Sequence, residues 1–180
     1  PKGNFGSLRT RGWEVSLDWG KIWDNGLSLR VNASLADAKS IITEYGETKQ
    51  ISGWYNGKEY GEIWGYKTDG LWNSREEYLA YKEANPGYQS FNDAKVSGGD
   101  VKYLTQGKAD HTVGAGGGTP ENPGDLVYLG SSNGRYLYGF NIGLQWKGFD
   151  FAMMFQGVAK RKVLIDAAQL APFASTSEMP

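Results

Sequence analysis

The sequence predicts an antiparallel all-β fold whose strands each carry one apolar and one polar face. Three observations lead there. In Arg135–Trp146, one parity reads Tyr136, Tyr138, Phe140, Ile142, Leu144 and Trp146, and the other reads Leu137, Gly139, Asn141, Gly143 and Gln145. Side chains alternate across a strand, so one face is apolar with aromatic ends and the other is small and polar. Three further runs repeat this alternation, and the connections between the runs are short, very long, then short. From Tyr136 to Trp146 an extended chain covers roughly 33 Å, and at a tilt of about 40° it rises roughly 25 Å, the height of the apolar band on an outer-membrane barrel. A soluble sandwich also alternates inward and outward residues. The aromatic strand ends and the loop asymmetry favour the barrel wall over that alternative.

The first run covers residues 7–20, with Trp13, Val15, Leu17 and Trp19 set against Gly12, Glu14, Ser16 and Asp18. Arg9 and Arg11 share the parity of Trp13. A cation is costly at a bilayer midplane but not at the interface, so these two arginines fit a barrel wall only if the apolar band starts near Trp13 and both stems reach outward. The second run covers residues 27–36, with Leu27, Leu29, Val31, Ala33 and Leu35 against Ser28, Arg30, Asn32 and Ser34. Asn25-Gly26 between the two runs is a hairpin signal. Residues 46–133 are too long for an ordinary loop and should hold structure of their own. Within them, Ser74–Glu77 (SREE) is a capping box that opens a helix over roughly 75–84, closed by Asn85-Pro86-Gly87. The third run is 135–146. Lys147-Gly148 turns the chain into the fourth, where Phe149, Phe151, Met153 and Phe155 oppose Asp150, Ala152, Met154 and Gln156. The expected organisation is a barrel hairpin at 1–45, a long extracellular loop at 46–133, a second hairpin at 134–162, and the start of a further loop at 163–180.

Composition narrows the function classes. The 180 residues carry a net charge of −1, which suggests neither nucleic-acid binding nor strong attraction to anionic membrane surfaces. Mean hydropathy is −0.53, yet 14% of residues are aromatic, unlike a disordered chain. No apolar run is long enough for a membrane helix, and a β-barrel keeps mean hydropathy low because its segments alternate. The chain has no cysteine and begins with Pro1, and it reads as a piece of a longer protein.

Several blocks, in order, resemble the SusC/RagA-like TonB-dependent transporters of the Bacteroidetes outer membrane. They are Arg11–Leu17 (RGWEVSL), Leu29–Leu35 (LRVNASL), Gly61–Gly70 (GEIWGYKTDG) with Ser74–Glu77 (SREE), and Gly98–Tyr103 (GGDVKY). Gly124–Gly130 (GDLVYLG) follows with Arg135–Phe140 (RYLYGF), Lys147–Phe151 (KGFDF) and Phe155–Gly157 (FQG). The chain departs from the family at Gly134, where the family usually has Pro, and in Leu104–Asp110, a shortened form of the family's acidic loop. The resemblance implies part of the C-terminal half of a plugged, 22-stranded outer-membrane barrel. It also implies TonB-driven import of an oligosaccharide or peptide, TonB contact through an N-terminal region absent from this sequence, and a SusD-like lipoprotein lid.

Catalytic and metal chemistry find little footing. His111 stands beside Asp110 in a Gly-rich loop without a nucleophile or paired carboxylates, and reads as a solvated loop histidine. Asp100, Asp110 and Asp125 lack EF-hand spacing and read as turn residues. No catalytic residue, metal site or cofactor is assigned. Trp54, Tyr55, Trp64 and Trp72 are the candidates for facing a ligand or a lid, since flat rings offer apolar area beside polar handles; packing under the long loop is the competing role for most of them. Arg30, Asn32, Asp150 and Gln156 are the candidates for facing the lumen. The rival function is a soluble or surface-exposed all-β glycan-binding module. A glycoside hydrolase piece is weaker still, because no motif nominates two carboxylates across a cleft.

Overall fold

A computed structural model describes residues 6–47 and 49–165. The expectation for 163–180 therefore falls largely outside the described residues. The described residues form eight strands and one α-helix: β1 (Gly6–Ile22), β2 (Ser28–Tyr45), β3 (Glu62–Tyr66), β4 (Thr68–Leu71), α1 (Arg75–Ala84), β5 (Val101–Tyr103), β6 (Leu126–Ser131), β7 (Arg135–Trp146) and β8 (Phe149–Lys160). No helix among the described residues is long and apolar enough to cross a membrane. The fold is mainly antiparallel β, as the alternation predicts.

Two compact units are distinguishable. Among the described residues, one joins Thr10–Ser40 to residues 130–165, and the other joins residues 41–129 to residues 6–9.

The first unit is a single sheet in the order β1-β2-β7-β8. Its register explains its two faces. Leu29 pairs with Leu144, Val31 with Ile142, Ala33 with Phe140 and Leu35 with Tyr138. Across β7 and β8, Leu144 pairs with Phe151, Ile142 with Met153 and Phe140 with Phe155. Directly opposed residues point to the same side, so these rows form one apolar face. The Phe140 and Phe155 rings stack at 4.7 Å. Asp18 of β1 accepts hydrogen bonds from Arg30 and Asn32 of β2, which places the even residues of β1 on the polar face and Trp13, Val15, Leu17 and Trp19 on the apolar one. The apolar face stays open: Trp13, Val15, Leu17, Trp19, Phe149, Phe151 and Phe155 are all exposed.

The hairpins follow from local chemistry. Lys147 and Gly148 both have positive φ, 47° and 86°, the pair of values a two-residue type I′ turn requires. Gly26, at φ 79°, donates to the Trp23 carbonyl, and the Asn25 side chain accepts from the Leu27 N–H. Ser28 opposes Gln145, so both turns lie at one end of the sheet. β2 runs nine residues past the alternation seen up to Ala36. Asp37 there is buried and pairs with the Arg135 guanidinium of β7. Beyond it β2 lies against β1, where the Thr10 and Ser40 hydroxyls meet at 2.7 Å and Thr43 donates to the Ser7 carbonyl at 3.2 Å.

The second unit holds a small aromatic core of Trp72, Tyr78, Tyr88, Val96 and Val113, with Tyr66, Tyr81, Tyr103 and Ala109 packed against it. The helix expected near 75–84 is α1. Its N-cap Ser74 accepts from the Glu77 N–H at 3.2 Å. Glu77 in turn accepts from the backbone and side-chain nitrogens of Asn73 at 2.8 and 2.6 Å. Those bonds hold its carboxyl below the usual range. Two short sheets complete the strand pairing, β3 with β6 and β4 with β5.

Candidate functional site

The aromatic residues singled out from the sequence divide by burial. Trp72 is 1% exposed and Tyr55 7%. Trp72 sits edge-on to Tyr78 and Tyr81 at 5.2 and 5.4 Å, with the Lys102 ammonium 4.9 Å from its ring centre. Its indole N–H is buried without a partner. Tyr55 donates its hydroxyl to Glu62, and burial first, then the Glu62 carboxylate, pushes that phenol well above its usual value. Packing is what these two rings do. Trp54, in contrast, is 41% exposed and lies nearly parallel to Tyr60, with an interplanar angle of 8° and centroids 5.7 Å apart. Trp64 is half-buried and meets Tyr128 edge-on at 6.3 Å.

A buried ion pair sets this surface. Lys58 is 8% exposed, and its ammonium donates to the Ile51 and Gly53 carbonyls, both at 2.7 Å. It lies 3.8 Å from Glu62 and over the Trp54 and Tyr55 rings at 5.6 and 5.3 Å. Glu62 also accepts from the Trp64 indole at 2.8 Å and from the Glu59 N–H at 3.2 Å. A buried charge is tolerated only when paired and hydrogen-bonded, so Lys58 and Glu62 orient three rings at once. Beside the exposed pair lies a recess of about 200 Å³ bounded by Leu8, Ile42, Tyr45, Trp54 and Tyr60, with Ser7 and Glu44 at its polar edge. The residue types suit a flat, amphipathic ligand: rings for area and a hydroxyl and carboxylate for orientation. The sequence pattern indicated Trp54. It missed Lys58, whose burial no local signal announces, and Tyr60 as its stacking partner.

The polar face of the sheet forms a separate surface. Arg30 and Asn32 both reach Asp18 at 3.2 Å, and Asn141 donates to Asn32 at 3.5 Å. They border a recess of about 460 Å³ whose floor is lowered by Gly143 and Ala152. Asp150 opposes Gln145, and Gln156 opposes Gly139; both stand on the parity of the Arg30 face. Arg30, Asn32, Asp150 and Gln156 thus stand on one face of the sheet.

Among the described residues no group of three or more His, Cys, Asp or Glu is arranged to hold a metal. His111 is not simply solvated: its two ring nitrogens lie 3.0 Å from Asp110 and 3.1 Å from Asp125.

No protein-family model matches the chain. A curated TonB-dependent receptor of Formosa agariphila is 27% identical over 172 residues, an alignment covering 89% of this chain. The chain is thus a distant relative of a TonB-dependent receptor. It spans only 16% of that receptor's length.

Proposed function

We propose that this chain is a wall segment and long extracellular loop of a TonB-dependent outer-membrane transporter of the SusC/RagA-like kind. In this reading the intact protein imports an oligosaccharide or a peptide and works with a SusD-like lipoprotein lid. The observation that carries the reading is the four-stranded sheet. One face carries the exposed apolar rows, with Trp13 and Trp19 at their ends on β1 and Tyr138 and Trp146 on β7, the other holds Asp18, Arg30, Asn32 and Asn141, and both tight turns sit at the same end. Exposed apolar surface of that extent needs a partner. A lipid acyl layer fits it, because the aromatic ends fall where headgroups meet hydrocarbon.

The polar face then lines the lumen, with Arg30, Asn32, Asp150 and Gln156 hydrating the wall. Residues 1–45 and 134–162 act as barrel hairpins, and 46–133 stands on the extracellular side. There Trp54 and then Trp64 are the foremost contacts for ligand or lid, and the Lys58–Glu62 pair keeps both rings in place. The distant receptor relative and the ordered sequence blocks support transport as the activity. The test uses the intact protein in its own cells, with Trp54→Ala and Trp64→Ala scored separately for barrel assembly and for uptake. Normal assembly with impaired uptake at Trp54 is expected. Unchanged uptake in both variants would remove these rings from the transport path.

A further inference from the structure

A second device lies in the aromatic-core unit, around Asp125. Asp125 is 2% exposed. Its Oδ1 accepts from the Gln106 N–H at 2.6 Å and faces His111 Nε2 at 3.1 Å, and its Oδ2 accepts from the Gly114 N–H at 2.9 Å. One carboxylate thus ties three points of the 104–114 chain together. The same stretch is anchored beneath: Val113 is buried, and its N–H donates to the Gln89 carbonyl at 2.8 Å. On the far side of the imidazole, Nδ1 lies 3.0 Å from Asp110 Oδ1.

Ionised carboxylates only accept hydrogen bonds, and a neutral imidazole carries a single N–H. The two contacts of His111 can be made together only by the imidazolium. We propose that Asp110, His111 and Asp125 form a pH-operated latch, closed over residues 104–114 by protonated His111 and loosened when that histidine becomes neutral. On deprotonation one carboxylate loses its donor. If it is Asp125, a buried charge is left with backbone amides alone, which is costly.

The electrostatics agree in sign. Hydrogen bonds that His111 donates first to Asp110, then to Asp125, raise its pKa above the ordinary value. Burial pushes Asp125 up, but the Gln106 and Gly114 amides and His111 outweigh it and hold the carboxyl below its usual range. A raised histidine contributes stability below its unfolded pKa and loses it as pH rises through the folded one. A depressed carboxylate loses its contribution as pH falls through its own folded pKa. The latch is therefore closed between these limits and opens on the alkaline side of the histidine titration. Tyr66 of β3 and Tyr88 feel the Asp125 charge. Burial raises both phenols, so they stay neutral across this window and do not compete.

Hydrogen exchange of the full chain between about pH 5 and about pH 9 tests the latch, with rates corrected for intrinsic base catalysis. Protection of residues 104–114 should fall as His111 titrates, by up to about tenfold for each unit by which folding raises its pKa. His111→Gln should abolish that pH dependence while α1 keeps its protection. Asp110→Asn, a milder change at an exposed position, should move the midpoint toward an ordinary histidine value. Protection that is independent of pH, or that falls equally in His111→Gln, overturns the proposal. Should His111→Gln also unprotect α1, the Asp110→Asn midpoint decides: a shift supports the latch and an unmoved midpoint refutes it.

Discussion

Truncating Trp72 should unfold the aromatic-core unit locally and leave the barrel-type sheet intact. The ring is 1% exposed and is flanked edge-on by Tyr78 and Tyr81, with Lys102 over its face. Removing a buried Trp side chain to Ala costs about 3–5 kcal/mol. The two edge-on ring pairs, each worth about 0.5–1.5 kcal/mol beyond area burial, place this site toward the upper part of that range. Trp72→Phe should be far milder. It keeps most of the ring contacts and deletes the buried, unpartnered indole N–H, relieving a cost of about 1–3 kcal/mol. The net loss should stay below about 2 kcal/mol. Hydrogen exchange of the α1 amides in the intact protein reads the difference. Trp72→Ala should reduce their protection by about two to four orders of magnitude, since each tenfold is 1.36 kcal/mol, and Trp72→Phe by no more than about one to two. An Ala variant whose α1 protection stays within about tenfold of wild type, yet whose uptake fails, would refute the packing role and return Trp72 to a ligand-contact role.

Other expectations follow from the same geometry. Leu17→Arg and Ser16→Arg change neighbouring exposed residues on opposite faces of β1; in a bilayer the first should cost about 2–4 kcal/mol and the second little, measured by folding into lipid vesicles. Equal tolerance of both would count against the membrane-facing assignment. Ser74→Ala removes the Oγ acceptor of the Glu77 N–H and should cost about 1 kcal/mol, seen as faster exchange in the first turn of α1. Hydrogen bonds from Lys82, then Tyr78, hold Asp93 below its usual carboxylate range. The tie between α1 and the 93–95 turn should therefore persist above the ordinary carboxylate pKa and fade as pH falls through the lowered one. Asp93→Asn should remove that acid dependence from the exchange of α1.

The sequence alone determined whatever is encoded between near neighbours. Period-two alternation assigned each residue of β1, β2, β7 and β8 to a face, since a strand allows only two sides. Gly26 and Gly148 located the hairpins because glycine accepts positive φ without steric cost. Ser74 with Glu77 located the helix start because the donors they satisfy lie within one turn. What depends on residues far apart became visible only in the folded chain. Trp54 and Trp72 belong to one aromatic-rich stretch, yet one is exposed and the other fully buried, because α1, Tyr88 and Lys102 close over Trp72 and leave Trp54 stacked on Tyr60 at the surface. Lys58 looks like a surface lysine until two carbonyls and Glu62 enclose it. Asp37 reads as the end of a strand until Arg135 arrives on β7. His111 has Asp110 beside it in the sequence, but its second carboxylate stands fourteen positions later and meets it only once the loop has folded back. Local pattern decides which way a side chain points. Which buried charge or ring it meets there is decided by tertiary contacts, because the desolvation that makes such partners matter exists only after folding.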